Sequence, residues 1–392
     1  MTAWSSKRWV WLSYLAIGLV ALALRVWHLG SFVTIDEVKF WLPRSERFLQ
    51  ALQNGAPDAM PLVGHPGVTT MWLGSAGIAL RRFLFDSGIL THETYATLLA
   101  LHRLPTVLLH VAAILVGYRM LRLLLPAAMA FLAAWLWATD PFIIAFSRVL
   151  HVDALAGTFA TLSLLAAAVS AKRRAQSAER TERTERESGD AKKRGCEEAG
   201  SHTASPPASP LPGWLVLSGI CAALAVLSKL PALAVVPVVG ILLLAEARRR
   251  GGEEAKRRSG DDATQSAVSF IIHRSSFPAS PLPRFLAPLL LWAAAFALTV
   301  VLLWPAVWNE PRQVYQAVRF GVVSEGGQPH LWGNYFLGRR VDVPGASFYA
   351  VALALRMTPW TLAGVLLVGY WVLGIGYRGT GDREQGTGDR GQ

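Results

Sequence analysis

Long apolar runs alternate with short polar turns along most of this chain. Trp9 to Trp27, Leu104 to Leu121, Ala127 to Ala145, Ala154 to Ala171, Phe285 to Val307 and Ser347 to about Tyr377 approach or exceed the roughly 20 residues that carry a helix across about 30 Å of hydrocarbon. A further apolar stretch, Trp214 to Ala245, is interrupted at Ser228-Lys229-Leu230-Pro231, which predicts a hairpin of two short crossings with that interruption at its tip. Helices satisfy their own backbone groups in lipid, so the pattern predicts an all-α polytopic membrane protein of about eight transmembrane helices. Two segments of the first loop read differently. Glu37 to Gln53 alternates charged and apolar positions (Phe40, Trp41, Arg44, Arg47, Phe48, Leu52), as an amphipathic helix in the interface does. Val68 to Leu80 offers only about 13 apolar residues before Arg81-Arg82, which suits a re-entrant or juxtamembrane helix; a full crossing there would invert every later orientation.

The turns divide the chain. Residues 1–171 form an N-terminal membrane unit whose first outer loop is 28–102, and 213–247 is the hairpin. Residues 285–377 are the last membrane segment, with a second outer loop at 308–345 rich in Trp, Tyr, Gly and Arg. Between them, 172–212 and 248–284 are charged and Ser/Pro-rich, so they read as cytoplasmic inserts, the first of them disordered. Both inserts end in Ala-Ser-Pro-Leu-Pro (Ala208 to Pro212, Ala279 to Pro283), and the second contains a short apolar patch, Val268 to Ile272. The tail 378–392 repeats Gly-Thr-Gly-Asp-Arg and reads as low-complexity and unstructured.

Charge supplies the orientation. The net charge is +12, but the basic residues cluster beside apolar segments, at Lys7-Arg8, Lys172-Arg173-Arg174 and Arg248-Arg249-Arg250. That is the distribution of cytoplasmic loops, not of a nucleic-acid surface. Both termini are then cytoplasmic, with Trp9–Trp27 a retained signal-anchor because it lacks a small-residue cleavage site. Only 16% of residues are charged, which excludes an ordinary soluble domain. The two cysteines, Cys196 in a linker and Cys221 in an apolar helix, imply neither a disulfide framework nor a metal site.

With that orientation, polar groups gather on the outer face. Asp36 and Glu37 follow the first helix; adjacent on a helix they point about 100° apart, so one can face a site while the other braces it. The plain alternative is a helix N-terminus capped by Thr34 or Asp36. Arg103, Arg148, His151, Asp153 and Lys229 sit at predicted helix ends on the same face, with His65-Pro66 in the first loop. Charges at membrane depth are costly and are paired or functional. A mutual Arg148–Asp153 ion pair and a snorkelling Lys229 are the structural alternatives. His65 and His151 lack the partners of a metal site, so single polar contacts are expected of them. A carboxylate facing cations across a surface cleft suits group transfer from a lipid phosphate, the carboxylate as base and the cations on the departing phosphate.

These residues resemble a family. Asp36-Glu37, His65-Pro66, Arg103-Leu104-Pro105, Ser147-Arg148 to Asp153, and Ser228-Lys229 are similar, in order and placement, to motifs of bacterial protein O-mannosyltransferase and aminoarabinose transferase-like membrane glycosyltransferases of the C-type fold. The usual Pro-x-Gly-Lys continuation is Gly67-Val68-Thr69-Thr70 here, which removes a family lysine. The resemblance implies a polyprenyl-phosphate sugar donor, a protein, lipid or glycan acceptor hydroxyl, and inverting transfer with Asp36 as base beside Glu37. It implies donor-phosphate contacts from Arg103 and Lys229, to which the outer-face placement adds Arg148. His65, His151 and Asp153 support the site; Trp332, Asn334 and Tyr335 are candidates for sugar or acceptor contact. No cofactor or metal is called for. The competing readings are a transporter or lipid flippase, which should show repeated halves and broken helices near the midplane, and a non-catalytic relative that binds polyprenyl lipid.

Overall fold

The computed structural model describes residues 7–193, 213–265, 282–325, 334–367 and 369–370. In chain order the helices are α1 (Lys7–Val26), α2 (Leu42–Gln53), α3 (Val68–Asp86), α4 (Tyr95–Leu124), α5 (Ala127–Thr139), α6 (Pro141–Ser147), α7 (Val152–Lys193), α8 (Gly213–Ser228), α9 (Val235–Gln265), α10 (Leu282–Leu303), α11 (Ala306–Asn309), α12 (Pro311–Phe320) and α13 (Ser347–Arg356). A small antiparallel hairpin, β1 (Asn334–Phe336) with β2 (Arg339–Val341), lies in the second loop, with Tyr335 opposite Arg340.

Five described helices are long and apolar enough to cross a membrane: α1, α4, Val152–Arg180 of α7, Leu230–Arg249 and Leu286–Leu303. Helices α5 and α6 add a sixth if counted as one span, bent by 56° where Asp140-Pro141 interrupts the backbone ladder. The chain is therefore a largely helical protein with the make-up of a multi-pass membrane protein. Among the described residues α8 and α13, expected as parts of two further crossings, are apolar but shorter. With 16 residues, α8 reaches only about 24 Å. It is nonetheless well packed: a Cβ on Gly219 would meet the Trp292 carbonyl at 2.5 Å, so α8 and α10 touch through a glycine.

One end of the bundle is basic. Lys172 donates to the Leu123 and Leu124 carbonyls at the end of α4 (2.9 and 3.1 Å), and Arg119 and Arg173 lie over the Trp214 ring. Arg174 pairs with Glu246 at 3.0 Å, tying α7 to α9 beyond their apolar parts. The other end collects the close of α1, the start of α4, the α6–α7 junction and the α8–α9 turn. Over it lies a layer of short elements, whose core joins Phe48 of α2, Met60, Val68 and Met71 of α3, Leu227, Trp304 and Val314 of α12.

Several boundaries differ from those expected. Helix α4 begins at Tyr95, capped by Thr94, and runs through Pro105, so Arg103 is inside a helix and not at its entry. Residues 172–193 and 248–265, expected as cytoplasmic inserts and the former as disordered, continue α7 and α9 as helix. Helix α3 is longer than 68–80, packs against Ser228, Leu150 and His102, and is not among the described helices long and apolar enough to cross a membrane. The expectations for 194–212 and 266–281 (Cys196, the Ala208–Pro212 copy and most of its repeat, Val268–Ile272), for Trp332 and for the tail 378–392 lie outside the described residues.

Candidate functional site

The site is built where the α6–α7 junction meets the first loop. After α1, the chain turns through Trp27–Ser31 and enters a single π-helical turn, Glu37–Trp41. Such wide turns displace one residue from the regular ladder. Thr34 Oγ1 accepts from the Glu37 N–H at 3.4 Å, whereas Asp36 makes no side-chain capping bond. The plain reading of this dyad as a helix cap therefore holds for Thr34 and not for Asp36.

The two acids have opposite environments. Glu37 is fully buried and paired with Arg103, itself 2% exposed. Glu37 Oε1 accepts from Arg103 Nε at 2.8 Å and from the Leu150 N–H at 2.9 Å. Arg103 also donates to the carbonyls of Leu29 (2.6 Å) and Phe32. Every guanidinium nitrogen of Arg103 is thus engaged within the protein. This corrects its expected place as a phosphate ligand: a buried cation surrounded by four acceptors does not reach a lipid head group. It fastens α1, the first loop, α4 and the α6–α7 junction to one another. Glu37 is correspondingly a brace with no exposed oxygen to act as base.

Asp36 is half exposed, and its Oδ2 lies 3.5 Å from His151 Nε2. His151 Nδ1 lies 3.4 Å from Asp153 Oδ2 and accepts from the Asp153 N–H at 3.3 Å. Asp153 Oδ1 pairs with Lys229 Nζ. Four of the expected residues therefore stand in one line, Asp36–His151–Asp153–Lys229, joining the first loop to the hairpin tip. Trp41 and Phe146 present their rings edge-on to His151 at 6.5 and 6.4 Å. Neither the Arg148–Asp153 pair nor a freely snorkelling Lys229 occurs. Arg148 instead donates to the Trp27 carbonyl, and burial, then the nearby Arg103 guanidinium, push it below the ordinary arginine range.

His65 is half-buried in the turn before α3. That turn places the hairpin tip. The Gly67 N–H donates to the Ser228 carbonyl at 3.2 Å, and Thr69 Oγ1 meets Ser228 Oγ at 2.5 Å. Gly67 has φ +60 and packs so closely on Trp41 that a Cβ would lie 2.1 Å from its ring.

Lys229 and Asp153 open on a cavity of about 510 Å³ between α5, α6, α7 and α13. Its walls include Trp137, Phe142, Phe146, Gly157 and Thr158, and Arg356 lines it with its guanidinium 5.6 Å from the Phe142 ring. Behind the wall, His110 Nδ1 contacts Thr158 Oγ1 at 3.1 Å. Arg25, fully buried, spans the helix break by donating to Ser147 Oγ (2.8 Å) and the Ala138 carbonyl (2.9 Å). Sequence reasoning passed over Arg25 and Arg356. Both are single cations in apolar runs, and that isolation was the signal available. Asn334 is used locally, donating to the Asp342 carbonyl, and Tyr335 is exposed on the β-hairpin. Among the described residues no three His, Cys, Asp or Glu side chains gather to hold a metal ion.

Compared with family models, with curated proteins and with solved structures, the chain matches none.

Proposed function

We propose that the chain is a membrane glycosyltransferase that moves a sugar from a polyprenyl-phosphate donor to an acceptor hydroxyl, with inversion, on the outer face of the cell membrane. The observation that carries this reading is the line from Asp36 to Lys229: an accessible carboxylate at one end, and at the other a cation on an aromatic-walled cavity. The cavity combines what a prenyl phosphate needs. Trp137, Phe142 and Phe146 offer an apolar wall for the chain, and Lys229 and Arg356 offer positive charge for the head group. Arg356 takes the part that Arg103 cannot.

In the proposed reaction Asp36 removes the acceptor hydroxyl proton while the acceptor oxygen bonds to the anomeric carbon. The bond from that carbon to the phosphate oxygen breaks, and prenyl phosphate leaves with the electron pair. Lys229 and Arg356 stabilise the charge that accumulates on it. The residues of Lys7-Arg8, Lys172-Arg173-Arg174 and Arg248-Arg249 lie toward the opposite end, which the positive-inside rule makes cytoplasmic. The site is then extracytoplasmic. The break at Asp140-Pro141 lies beside the Arg25–Ser147 contact at the site end of α1, not at mid-bundle where a transporter's broken helices bind substrate.

The test is incubation of membranes containing the protein with labelled polyprenyl-phosphate sugars and identification of the labelled product. Asp36→Asn should lower transfer by about 10²–10⁴-fold while expression and lipid binding persist. Undiminished transfer by this variant would remove Asp36 as the base.

A further inference from the structure

We propose that His151 takes up a proton when a phosphate-bearing lipid enters the cavity, so that donor binding is sensed at Asp36 through Asp153. The inference rests on the reading of the cavity as a lipid-phosphate site and adds to it a coupling between the two ends of the line. In the structure as it stands, His151 Nδ1 accepts the Asp153 N–H at 3.3 Å. A neutral imidazole that accepts at one nitrogen carries its proton on the other. The Nε2–H then faces Asp36 Oδ2 at 3.5 Å. Asp153 is shared: one oxygen holds the Lys229 ammonium, and the other lies 3.4 Å from Nδ1.

A lipid phosphate on Lys229 competes with Asp153 for the same ammonium. Arg356, on the same wall, shares the charge of the phosphate, but once Lys229 turns to the lipid the Asp153 carboxylate is left without its cation. A proton on His151, whose Nδ1 lies 3.4 Å from Asp153 Oδ2, replaces that cation. Histidine is the side chain whose charge changes most readily between pH 5 and 8. Its Nδ1 is the basic atom that the displaced Asp153 carboxylate already faces.

The other charged groups around His151 are committed elsewhere or lie further off. Glu37 and Arg103 neutralise one another and reach this turn through the Leu150 N–H. Arg148 holds the Trp27 carbonyl, Arg44 lies over the Trp41 ring, and Arg356 is on the cavity wall. His151 is 16% exposed between Trp41 and Phe146, so a charge formed there is poorly hydrated and depends on the two carboxylates. Once formed, the imidazolium strengthens the Nε2–H contact with Asp36 Oδ2 and so fixes the orientation of that carboxylate while donor is bound. His151 is thus a positioning residue that ties the placement of Asp36 to the presence of the donor.

The experiment measures binding of farnesyl phosphoryl mannose to the purified full chain by titration calorimetry. This probe is a phosphodiester with no proton of its own titrating near neutrality. Repeating the titration at pH 7 in two buffers of different ionisation enthalpy counts the protons exchanged. Wild-type protein should take up a substantial fraction of a proton per lipid, and its affinity should fall several-fold from pH 6 to pH 8. His151→Gln should bind without uptake and with little pH dependence. Wild-type binding without uptake, or uptake that persists in His151→Gln, overturns the coupling and leaves the lipid-phosphate reading in place. Undetectable binding by wild type, or full affinity in the Lys229→Met/Arg356→Met double variant, overturns the lipid-phosphate reading itself. Wild-type binding without uptake overturns the coupling whatever the variants do, and if His151→Gln fails to fold, His151→Asn takes its place.

Discussion

Asp36 and Glu37 are neighbours in sequence and share a charge, yet one is half exposed and the other completely buried. The difference comes from the π-helical turn, which sends Glu37 inward onto Arg103 and the Leu150 N–H and leaves Asp36 at the rim. A buried carboxylate is tolerable only while its charge is answered, so the pair is worth more as a unit than either member alone. Replacing Arg103 by Met should therefore destabilise the protein by about 3–5 kcal/mol, through the uncompensated Glu37 left behind. A fall in the thermal midpoint of the detergent-solubilised protein checks this, and Glu37→Gln should cost less because an amide retains a hydrogen-bond acceptor. Arg25 is a second buried cation, held by Ser147 Oγ and two backbone carbonyls, with its Nη2 unpartnered among the described residues. Adjacent acids are legible in sequence as a pair, but which one is buried depends on a helix partner more than sixty positions away.

At the scale of elements, the site depends on a turn that must come very close to its neighbours. Gly67 precedes α3 with a left-handed backbone and lies against Trp41, while its N–H holds the Ser228 carbonyl. Gly67→Ala adds about 1–2 kcal/mol of backbone strain and drives a methyl into the indole. Both effects move Trp41 and the hairpin tip, so transfer should fall together with the thermal midpoint. The corresponding Gly55→Ala, at a turn with φ +61 and open space around it, should show the backbone cost alone and keep its activity. Helix boundaries were the least legible feature of the sequence. Pro105 suggests a helix start, but α4 already has three turns before it and is held by packing on α3. The charged continuation of α7 has too few apolar residues to bury, which argues against structure for an isolated segment. As an extension of an existing helix it needs no nucleation, and its Ala, Glu, Arg and Lys residues are good helix formers.

Across the whole molecule, ion pairs gather at the site end: Arg82 with Glu46, Arg81 with Glu93, Arg103 with Glu37, Lys229 with Asp153. At the other end Arg174 pairs with Glu246, while Lys172 and Arg173 answer helix carbonyls and an indole face. If that basic end is cytoplasmic, Ser87→Cys should react with a membrane-impermeant maleimide in intact cells, and Gln176→Cys only after permeabilisation, both in a background without Cys196 and Cys221. The reverse labelling would place the site in the cytoplasm and end the proposed use of an outer-face donor. The helical, multi-pass character was determined by the chain itself, because long apolar runs have no other way to satisfy their backbone in lipid. So was the gathering of polar residues at the ends of those runs. Tertiary structure alone decided which charges meet. It turned Arg103 inward, set His151 between two carboxylates, and brought Arg356 to a cavity shared with Lys229. Those outcomes depend on distances of a few ångströms between helices remote in sequence, and hydropathy carries no record of them.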